Sequence, residues 1–121
     1  DYRIFASDID PKCLEIARAN AQKAGVAEYI TFSRADARTL TLPPEKGVLI
    51  TNPPYGDRLL DAHEADVLYR ALGRRWRGSE DWHIYVLSSN LDFEKSFGKR
   101  ASKRRKLYNG MISCQLYCYF K

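Results

Sequence analysis

Apolar runs suited to strands alternate with helical spacing at the start of the chain. The run Arg3–Ser7 predicts a buried strand, and Tyr29–Ser33 predicts a second one. Between them, apolar residues recur at helical spacing until Gly25, a residue that favours the end of a helix. Asp10 is suited to cap this helix, and Pro11 to occupy its first turn. This order predicts a strand–helix–strand unit.

The same alternation continues further along the chain. Val48–Thr51 and Trp82–Ser88 predict two more strands, and Leu59–Trp76 has apolar residues spaced for one or two helices. Asn90–Gly98 fits either a helix or a loop. Alternating strands and helices predict an α/β, Rossmann-like fold whose mostly parallel sheet carries helices on both faces.

A different pattern closes the chain. Asn109-Gly110 follows the pair Leu107-Tyr108 and precedes the long strand pattern Met111–Phe120. Because Asn-Gly favours a two-residue type I′ turn, we expect a C-terminal antiparallel hairpin with these two residues in its turn. No internal repeat or linker interrupts the sequence, which predicts a single unit over residues 1–121.

Polar side chains stand where three of these strands end. Asp8, Asp36 and Asn52 each follow a separate predicted strand. In parallel α/β sheets, ligands bind beyond the carboxyl ends of the strands, so we expect two carboxylates and an amide at one edge of one sheet. Loops are polar in any protein, and the sequence around each residue must therefore distinguish a site from a loop.

Asp8 and Asp36 have the chemistry of a nucleotide site. A carboxylate at the end of the first strand accepts hydrogen bonds from a ribose diol, and the alternative role of helix cap suits Asp10 better than Asp8. Ile9 offers an apolar surface to an adenine ring. Asp36, with Ala37 beside it, is either an acceptor for the adenine amino group or an ordinary loop aspartate.

The stretch VLITNPPYGDR, residues 48–58, places an amide before two prolines. One interpretation is a turn that ends a strand. The other is a site for an exocyclic amine, in which the Asn52 oxygen accepts from one N–H and the Pro53 carbonyl from the other. Proline restricts the backbone here, and Pro54 favours an extended Pro53. Tyr55 would stack on the base.

Composition and charge are those of a basic globular chain. Hydrophobic residues make up 45% of the 121 residues, the net charge is +5, and no apolar run approaches the roughly 20 residues that span a bilayer. We therefore expect no membrane segment, and the chain opens without a signal-peptide pattern. A basic balance suits a polyanionic partner without proving one.

The cations are concentrated in KRASKRRK, residues 99–106, which holds six cations and no acid. This block is either a solvated loop or a patch that contacts phosphates. The candidate nucleic-acid contacts are Arg58, Lys99, Arg100, Lys103, Arg104, Arg105 and Lys106.

The cysteine pattern indicates reduced thiols. Cys13, Cys114 and Cys118 are odd in number and are not arranged as a CxxC pair. We expect a cytoplasmic protein without a metal site or a disulfide. On a strand, Cys114 and Cys118 share a face, where they would act as small apolar filler.

Several of these segments together resemble a known family. SDIDP, ARANAQKAGV, the strand leading into Ala35-Asp36 and NPPYGDR are similar to the class I S-adenosylmethionine-dependent methyltransferases that act on exocyclic amines. NPPYGDRL, KRRKLYNG and the closing polar–aromatic alternation resemble the THUMP-associated RNA guanine-N2 methyltransferases. That group includes bacterial large-subunit rRNA methyltransferases, often labelled N6-adenine-specific DNA methylases. The resemblance covers essentially the whole chain.

The resemblance implies roles for individual residues. Asn52, Pro53, Pro54 and Tyr55 would hold the target amine, and Asp8 would hold the ribose of S-adenosyl-L-methionine. Ile9 and Asp36, with Ala37, would flank its adenine, and Asn52 would border the cofactor. Asp57 stands where relatives often have Glu, a mild departure.

A larger departure concerns the family's first strand and its Gly-rich loop, which holds the methionine end of the cofactor. Neither has a counterpart in these residues, and no THUMP domain is present. In this fold, that strand lies between those ending at Asp8 and Asn52. The resemblance therefore implies the C-terminal portion of a single catalytic domain, which lacks that strand and loop and is inactive alone. An upstream segment and a THUMP domain are expected in the full-length protein.

Three functions remain open. The first is methylation of guanine N2 in RNA, with 23S rRNA as the partner. The second is methylation of adenine N6 in DNA. The third is a nucleic-acid-binding module that keeps the fold without a working cofactor site.

Overall fold

The computed structural model describes residues 3–43, 45–54 and 62–120. The chain divides into two compact units, Asp1–Leu40 (unit 1) and Thr41–Lys121 (unit 2). In chain order, the elements are β1 (Ile4–Asp8), α1 (Pro11–Lys23), a 3₁₀ turn (Ala27–Tyr29), β2 (Ile30–Arg34), β3 (Gly47–Thr51), α2 (Ala62–Trp76), β4 (Trp82–Ser88), α3 (Phe93–Phe97), β5 (Lys103–Asn109) and β6 (Ile112–Tyr119).

Unit 1 is the predicted strand–helix–strand unit. β1 and β2 pair in parallel with Asp8 opposite Arg34, so both strands end at the same edge. Helix α1 buries Leu14 and Ala21. The sequence-based boundaries of the two strands each lie one residue too early, because Asp8 and Arg34 still belong to the strands.

The limits of α1 confirm the predicted capping. The Asp10 carboxylate accepts a hydrogen bond from the Lys12 N–H at 2.9 Å, and Pro11 occupies the first turn. Gly25 follows the helix with φ of +75°, a conformation that costs glycine little. Local sequence therefore sets both ends of this helix.

Unit 2 contains a four-stranded sheet in the order β3-β4-β6-β5. β3 and β4 are parallel, whereas β6 runs antiparallel to both β4 and β5. This arrangement confirms the expected α/β fold with parallel strands and a C-terminal antiparallel hairpin. Among the described residues, however, the six strands form two sheets and not the single sheet expected.

The hairpin is present, but its predicted turn was wrong by one residue. Asn109 pairs with Ile112, so the two-residue loop is Gly110-Met111. Gly110 has φ of +63°, and neither Asn109 nor Met111 has a positive φ. A type I′ turn needs two positive φ values, whereas a type II′ turn needs one at its first central residue, which suits Gly110.

Helices α2 and α3 cover one face of the unit 2 sheet. The Phe93 ring packs against Tyr69 and Tyr117 at centroid distances of 4.9 and 4.8 Å, and Phe97 packs against Tyr119 at 4.8 Å. This aromatic cluster joins both helices to the sheet. Among the described residues, the largest fully buried side chains of the core are Tyr69, Leu72, Trp76, Val86, Ser88, Phe93, Phe97, Cys114 and Tyr117.

The two helices approach closely at Gly73. A Cβ at this position would overlap the backbone carbonyl of Phe97, so only glycine fits there without a shift. Beside this contact, the Ser96 hydroxyl donates to Asp66 at 2.5 Å, and Arg70 pairs with the other Asp66 oxygen at 2.9 Å. The Ser96 hydrogen bond, followed by that of Arg70, lowers the pKa of Asp66. The α2–α3 contact is thus both tight and polar.

The opposite face of the unit 2 sheet exposes apolar residues. Val48 and Ile50 on β3 are 60% and 75% exposed. In unit 1, Ile4 and Phe5 on β1 are likewise 48% and 64% exposed. Strands with such apolar side chains ordinarily bury them against a neighbouring layer. None of the described helices is long and apolar enough to cross a membrane.

Candidate active site

The carboxyl ends of β1 and β2 place Asp8 and Asp36 at the same edge of unit 1. The Ala35 N–H donates to the Asp8 carbonyl at 3.1 Å, which extends the strand pairing as far as the residue before Asp36. One Asp8 oxygen, Oδ1, accepts from the Asp10 N–H at 2.9 Å. Within the described residues, Oδ2 of Asp8 makes no hydrogen bond. Ile9 beside it is 52% exposed, an apolar surface next to an open carboxylate oxygen.

Asp36 forms an ion pair that the sequence did not indicate. Arg38 contacts both carboxylate oxygens, with Nη2 to Oδ2 at 2.7 Å and Nε to Oδ1 at 3.0 Å. The Arg38 backbone N–H also donates to Oδ1 at 2.9 Å. These hydrogen bonds from Arg38 lower the pKa of Asp36. Asp36 is therefore held as an ionised acceptor, and any ligand amine must share it with Arg38.

The Cys13 thiol adjoins this edge but is not set up as a nucleophile. It lies 3.7 Å from Asp10 Oδ2. Desolvation, and then the charges of Asp8 and Asp10, raise the pKa of this thiol. Since the thiolate is the reactive form of cysteine, a raised pKa makes Cys13 a poorer nucleophile than an ordinary exposed thiol.

In unit 2, Asn52 follows β3 directly and its side chain is exposed, whereas Pro53 is buried. Parallel pairing places Thr51 opposite Val86, so the Asn52–Pro54 segment continues beside the last residues of β4. The amide therefore stands at the carboxyl edge of the sheet, which is where the sequence predicts it. Tyr55 and Arg58, with Gly56 and Asp57, lie outside the described residues.

A buried tyrosine anchors the Asn-Pro-Pro segment. The Tyr69 hydroxyl, on α2, donates to the Pro54 carbonyl at 2.5 Å and lies 3.1 Å from Ser88 Oγ. Ser88 Oγ also accepts from the Asn90 N–H at 3.1 Å. Since the Tyr69 proton goes to Pro54, the Ser88 hydroxyl donates to Tyr69. This chain of hydrogen bonds ties the loop after β3 to the end of β4.

Sequence reasoning missed Tyr69 and Ser88. Helical spacing places Tyr69 on the buried side of α2, and a buried tyrosine hydroxyl requires a partner. That requirement indicates that Tyr69 has a hydrogen-bond partner, but it does not identify the partner as the Pro54 carbonyl. The partner depends on how α2 packs over β3 and β4, which local sequence does not specify.

The basic block is not a loop throughout. Lys103 to Lys106 form the first half of β5, and alternate side chains point to opposite faces of the sheet. Arg104 faces α3, where it pairs with Glu94 at 3.4 Å. Lys99 and Arg100 precede the strand and are exposed, as are Lys103, Arg105 and Lys106. The block can therefore be a solvated loop only before β5, which begins at Lys103.

The sequence model of the RMKL-like methyltransferase domain matches residues 1–118. The chain belongs to this family. YpsC of Bacillus subtilis (strain 168), named as a candidate RNA methyltransferase, is 39% identical over 117 residues, which are 97% of this chain and 30% of YpsC. Ribosomal RNA large subunit methyltransferase K/L of Shewanella baltica (strain OS185) is 39% identical over 120 residues, covering 98% of this chain and 17% of that protein.

A solved structure supports the assignment of the chain to this family. The methyltransferase candidate SMU.472, crystallised with SAH, superposes with a TM-score of 0.91 at 38% identity over 97% of this chain and 31% of its own. The methyltransferase fold expected from sequence is therefore confirmed. This chain spans less than a third of the length of YpsC and of SMU.472, and less than a fifth of the K/L enzyme.

Proposed function

We propose that this chain belongs to an S-adenosylmethionine-dependent RNA methyltransferase that transfers a methyl group to the exocyclic N2 of guanine in 23S rRNA. The observation that carries the proposal is the exposed Asn52 amide at the carboxyl edge of the sheet, in a segment anchored by Tyr69. The names of YpsC and the K/L enzyme support RNA as the substrate class.

Asn52 and Pro53 act on the amine through two acceptors. The lone pair of an exocyclic amine is delocalised into the base, which makes the nitrogen a poor nucleophile. Hydrogen bonds from its two N–H groups to the Asn52 oxygen and the Pro53 carbonyl orient the lone pair out of the base plane. S-adenosylmethionine, when bound, would present the methyl group on a sulfonium sulfur; as the N–CH3 bond forms, the S–CH3 bond would break and the sulfur would leave as a neutral thioether, and water would take the proton that the amine loses. Catalysis is then positioning and electrostatics, without a covalent enzyme intermediate.

The chemistry of unit 1 fits the nucleoside part of S-adenosylmethionine. Asp8 offers the open Oδ2, and Oδ1 has capacity for a second donor, so the two hydroxyls of a ribose diol both find acceptors. Ile9 offers its exposed side chain to the adenine. Asp36, kept ionised by Arg38, accepts from the adenine amino group, with Ala37 beside it. SAH bound to SMU.472 supports this assignment of the cofactor.

The carboxylate of Asp8 can be tested by its affinity for the cofactor. We expect Asp8→Asn to raise the Kd for S-adenosylmethionine about tenfold to a hundredfold, because one acceptor of the ribose diol becomes a donor. Calorimetric titration of the full-length protein measures this change. Asp10→Asn is the matched control, since asparagine caps helices as well as aspartate and the charge change is identical. Equal Kd values for both variants would contradict the role of Asp8.

The hydroxyl of Tyr69 gives a second prediction, on turnover. We expect Tyr69→Phe to lower kcat about tenfold, because the Pro54 carbonyl loses its anchor, and to lower the free energy of unfolding by about 1–2 kcal/mol. Tyr119→Phe is the control: its buried hydroxyl donates to the Lys99 carbonyl at 2.8 Å, at the opposite edge of the sheet. That variant should lose similar stability and keep its kcat. Equal kcat losses in both variants would show that Tyr69 acts only through stability.

We further propose that the chain is the C-terminal portion of the catalytic domain. The exposed apolar residues of β1 and β3 are the support, because further segments of the domain would cover them. The first strand, the Gly-rich loop and the THUMP domain stay predictions for the full-length protein, as does the inactivity of this portion alone. The exposed cations of the basic block, together with Arg58, are proposed to contact RNA phosphates.

Methyl transfer to separate nucleic-acid pools tests the function. Full-length protein is incubated with methyl-labelled S-adenosylmethionine and either unmodified RNA or unmodified DNA. We expect label in RNA guanine. Label in DNA adenine would support the second candidate. Binding to nucleic acid without label would support the non-catalytic module.

A further inference from the structure

The tip of the β5–β6 hairpin carries an exposed aromatic ring beside a cation. Tyr108 is 65% exposed, and Lys106 Nζ lies 5.8 Å from the centre of its ring. Both residues point to the same face of β5. Opposite them on β6 stand Ser113 and Gln115, which are small or polar and leave the ring uncovered. Met111 in the turn is fully exposed.

The strand register places this tip at the same edge of the sheet as the Asn-Pro-Pro segment. Ser88, at the end of β4, pairs with Gln115, and β6 begins three residues before Gln115. Tyr108 pairs with Ser113 and therefore lies about 7 Å beyond the level of Ser88. β5 is three strands away from β3, or roughly 14 Å at the usual strand spacing. A few nucleotides of single-stranded RNA cover such a distance.

The electrostatics of the hairpin favour a polyanion. Lys103 and Arg105 point to one face and Lys106 to the other, all of them exposed, and β5 contains no acidic residue. Arg104 is different, because Glu94 holds it at 3.4 Å and the same carboxylate accepts the Ala101 N–H at 2.7 Å. Arg104 therefore contacts α3 at the base of the hairpin.

A simpler role for the cations is protection of an edge strand. Lysine and arginine on an edge strand discourage pairing with other chains. That role accounts for Lys103 and Arg105. It gives no reason for an exposed tyrosine beyond the cations, at the edge that carries Asn52. An aromatic ring next to a cation is instead the arrangement that proteins use to stack an unpaired base and hold its phosphate.

We propose that Tyr108 stacks on an unpaired RNA base that flanks the target guanine, while Lys106 contacts the adjoining phosphate. This inference rests on the proposed function and assigns Tyr108 a role in binding the RNA substrate. The hairpin would thereby fix the register of the RNA strand relative to the target amine.

The test compares Tyr108→Ala with Tyr108→Phe in the full-length protein, using in vitro transcribed 23S rRNA as the probe. We expect Tyr108→Ala to raise the Kd and the KM for this RNA about tenfold, with the KM for S-adenosylmethionine unchanged. Tyr108→Phe keeps the ring and should stay within about twofold of the wild type.

The phosphate contact of Lys106 is tested by salt dependence. Lys106→Gln should lower the slope of log Kd against log salt concentration by about one. Tyr29→Ala, which removes a 55% exposed tyrosine of unit 1, is the control and should bind as the wild type does.

Two results would overturn the inference. One is a Tyr108→Ala variant that binds and methylates the RNA like the wild type. The other is a Tyr108→Phe variant as weak as Tyr108→Ala, which would assign binding to the hydroxyl and not to the ring. If the wild type binds RNA without methylating it, the proposed function fails, whereas the Kd values still decide the role of Tyr108. A thermal melt of each variant separates lost binding from lost folding.

Discussion

Asn52→Ala is expected to reduce kcat for methyl transfer about a hundredfold to a thousandfold while RNA affinity changes little. The amide oxygen is one of two acceptors proposed to orient the amine, and removing one such preorganised group typically costs this much. Asn52 is exposed and lies outside the buried core, so the fold should survive the change. Single-turnover kinetics with saturating RNA and S-adenosylmethionine measure the chemical step directly.

A matched control separates the amide of Asn52 from asparagine loss in general. Asn20 is exposed on α1, and Asn20→Ala should leave kcat within about twofold because alanine favours helix. An Asn52→Ala variant that retained full methyl transfer would falsify the reading of the Asn-Pro-Pro segment as the amine site.

Gly73→Ala is expected to lower the free energy of unfolding by about 1–3 kcal/mol, the usual cost of forcing an extra carbon into a packed contact. The added Cβ would overlap the Phe97 carbonyl, a backbone atom that no side-chain rotation can remove. Helices α2 and α3 would have to separate, which also disturbs the Asp66–Ser96 hydrogen bond. Denaturant unfolding of the full-length protein, followed by circular dichroism, measures the loss.

The control for Gly73 is Gly78, just after α2, where an added Cβ meets no atom within 4 Å. Gly78→Ala should leave stability within about 0.5 kcal/mol of the wild type or raise it slightly, since alanine restricts the unfolded chain. If both alanine variants were equally stable, the close α2–α3 contact at Gly73 would not matter to the fold.

Local signals in the sequence were sufficient for most of the elements. Asp10, Pro11 and Gly25 mark the ends of α1 through capping and backbone preferences that depend on near neighbours. Apolar runs predicted the four strands β1 to β4 with bounds within one residue of those observed. Asn109-Gly110 correctly signalled a hairpin, although register with β6 moved the turn to Gly110-Met111.

The sequence was less informative wherever the outcome depends on contacts between distant residues. The anchoring of Pro54 by Tyr69 spans fifteen residues and depends on how α2 lies over the sheet. The pairing of Arg104 with Glu94 depends on α3, which the sequence left open between helix and loop. A run of four cations gives no sign that one of them is already engaged.

Asp36 shows a further limit of prediction from the sequence. Its position after β2 was predicted, but the ion pair with Arg38 was not. A carboxylate and a guanidinium two residues apart can pair or point to solvent, and the turn after β2 decides between these. The pair keeps Asp36 ionised, which is the form needed to accept a hydrogen bond from an amine.

The most direct test of the central claim is the identity of the methylated nucleoside. Full-length protein is incubated with S-adenosylmethionine and unmodified 23S rRNA, the RNA is digested to nucleosides, and the products are separated and identified by mass spectrometry. We predict N2-methylguanosine, lost in the Asn52→Ala variant and retained in Asn20→Ala. Methylation of a ring carbon or a ribose hydroxyl would contradict the claim that Asn52 and Pro53 hold an exocyclic amine.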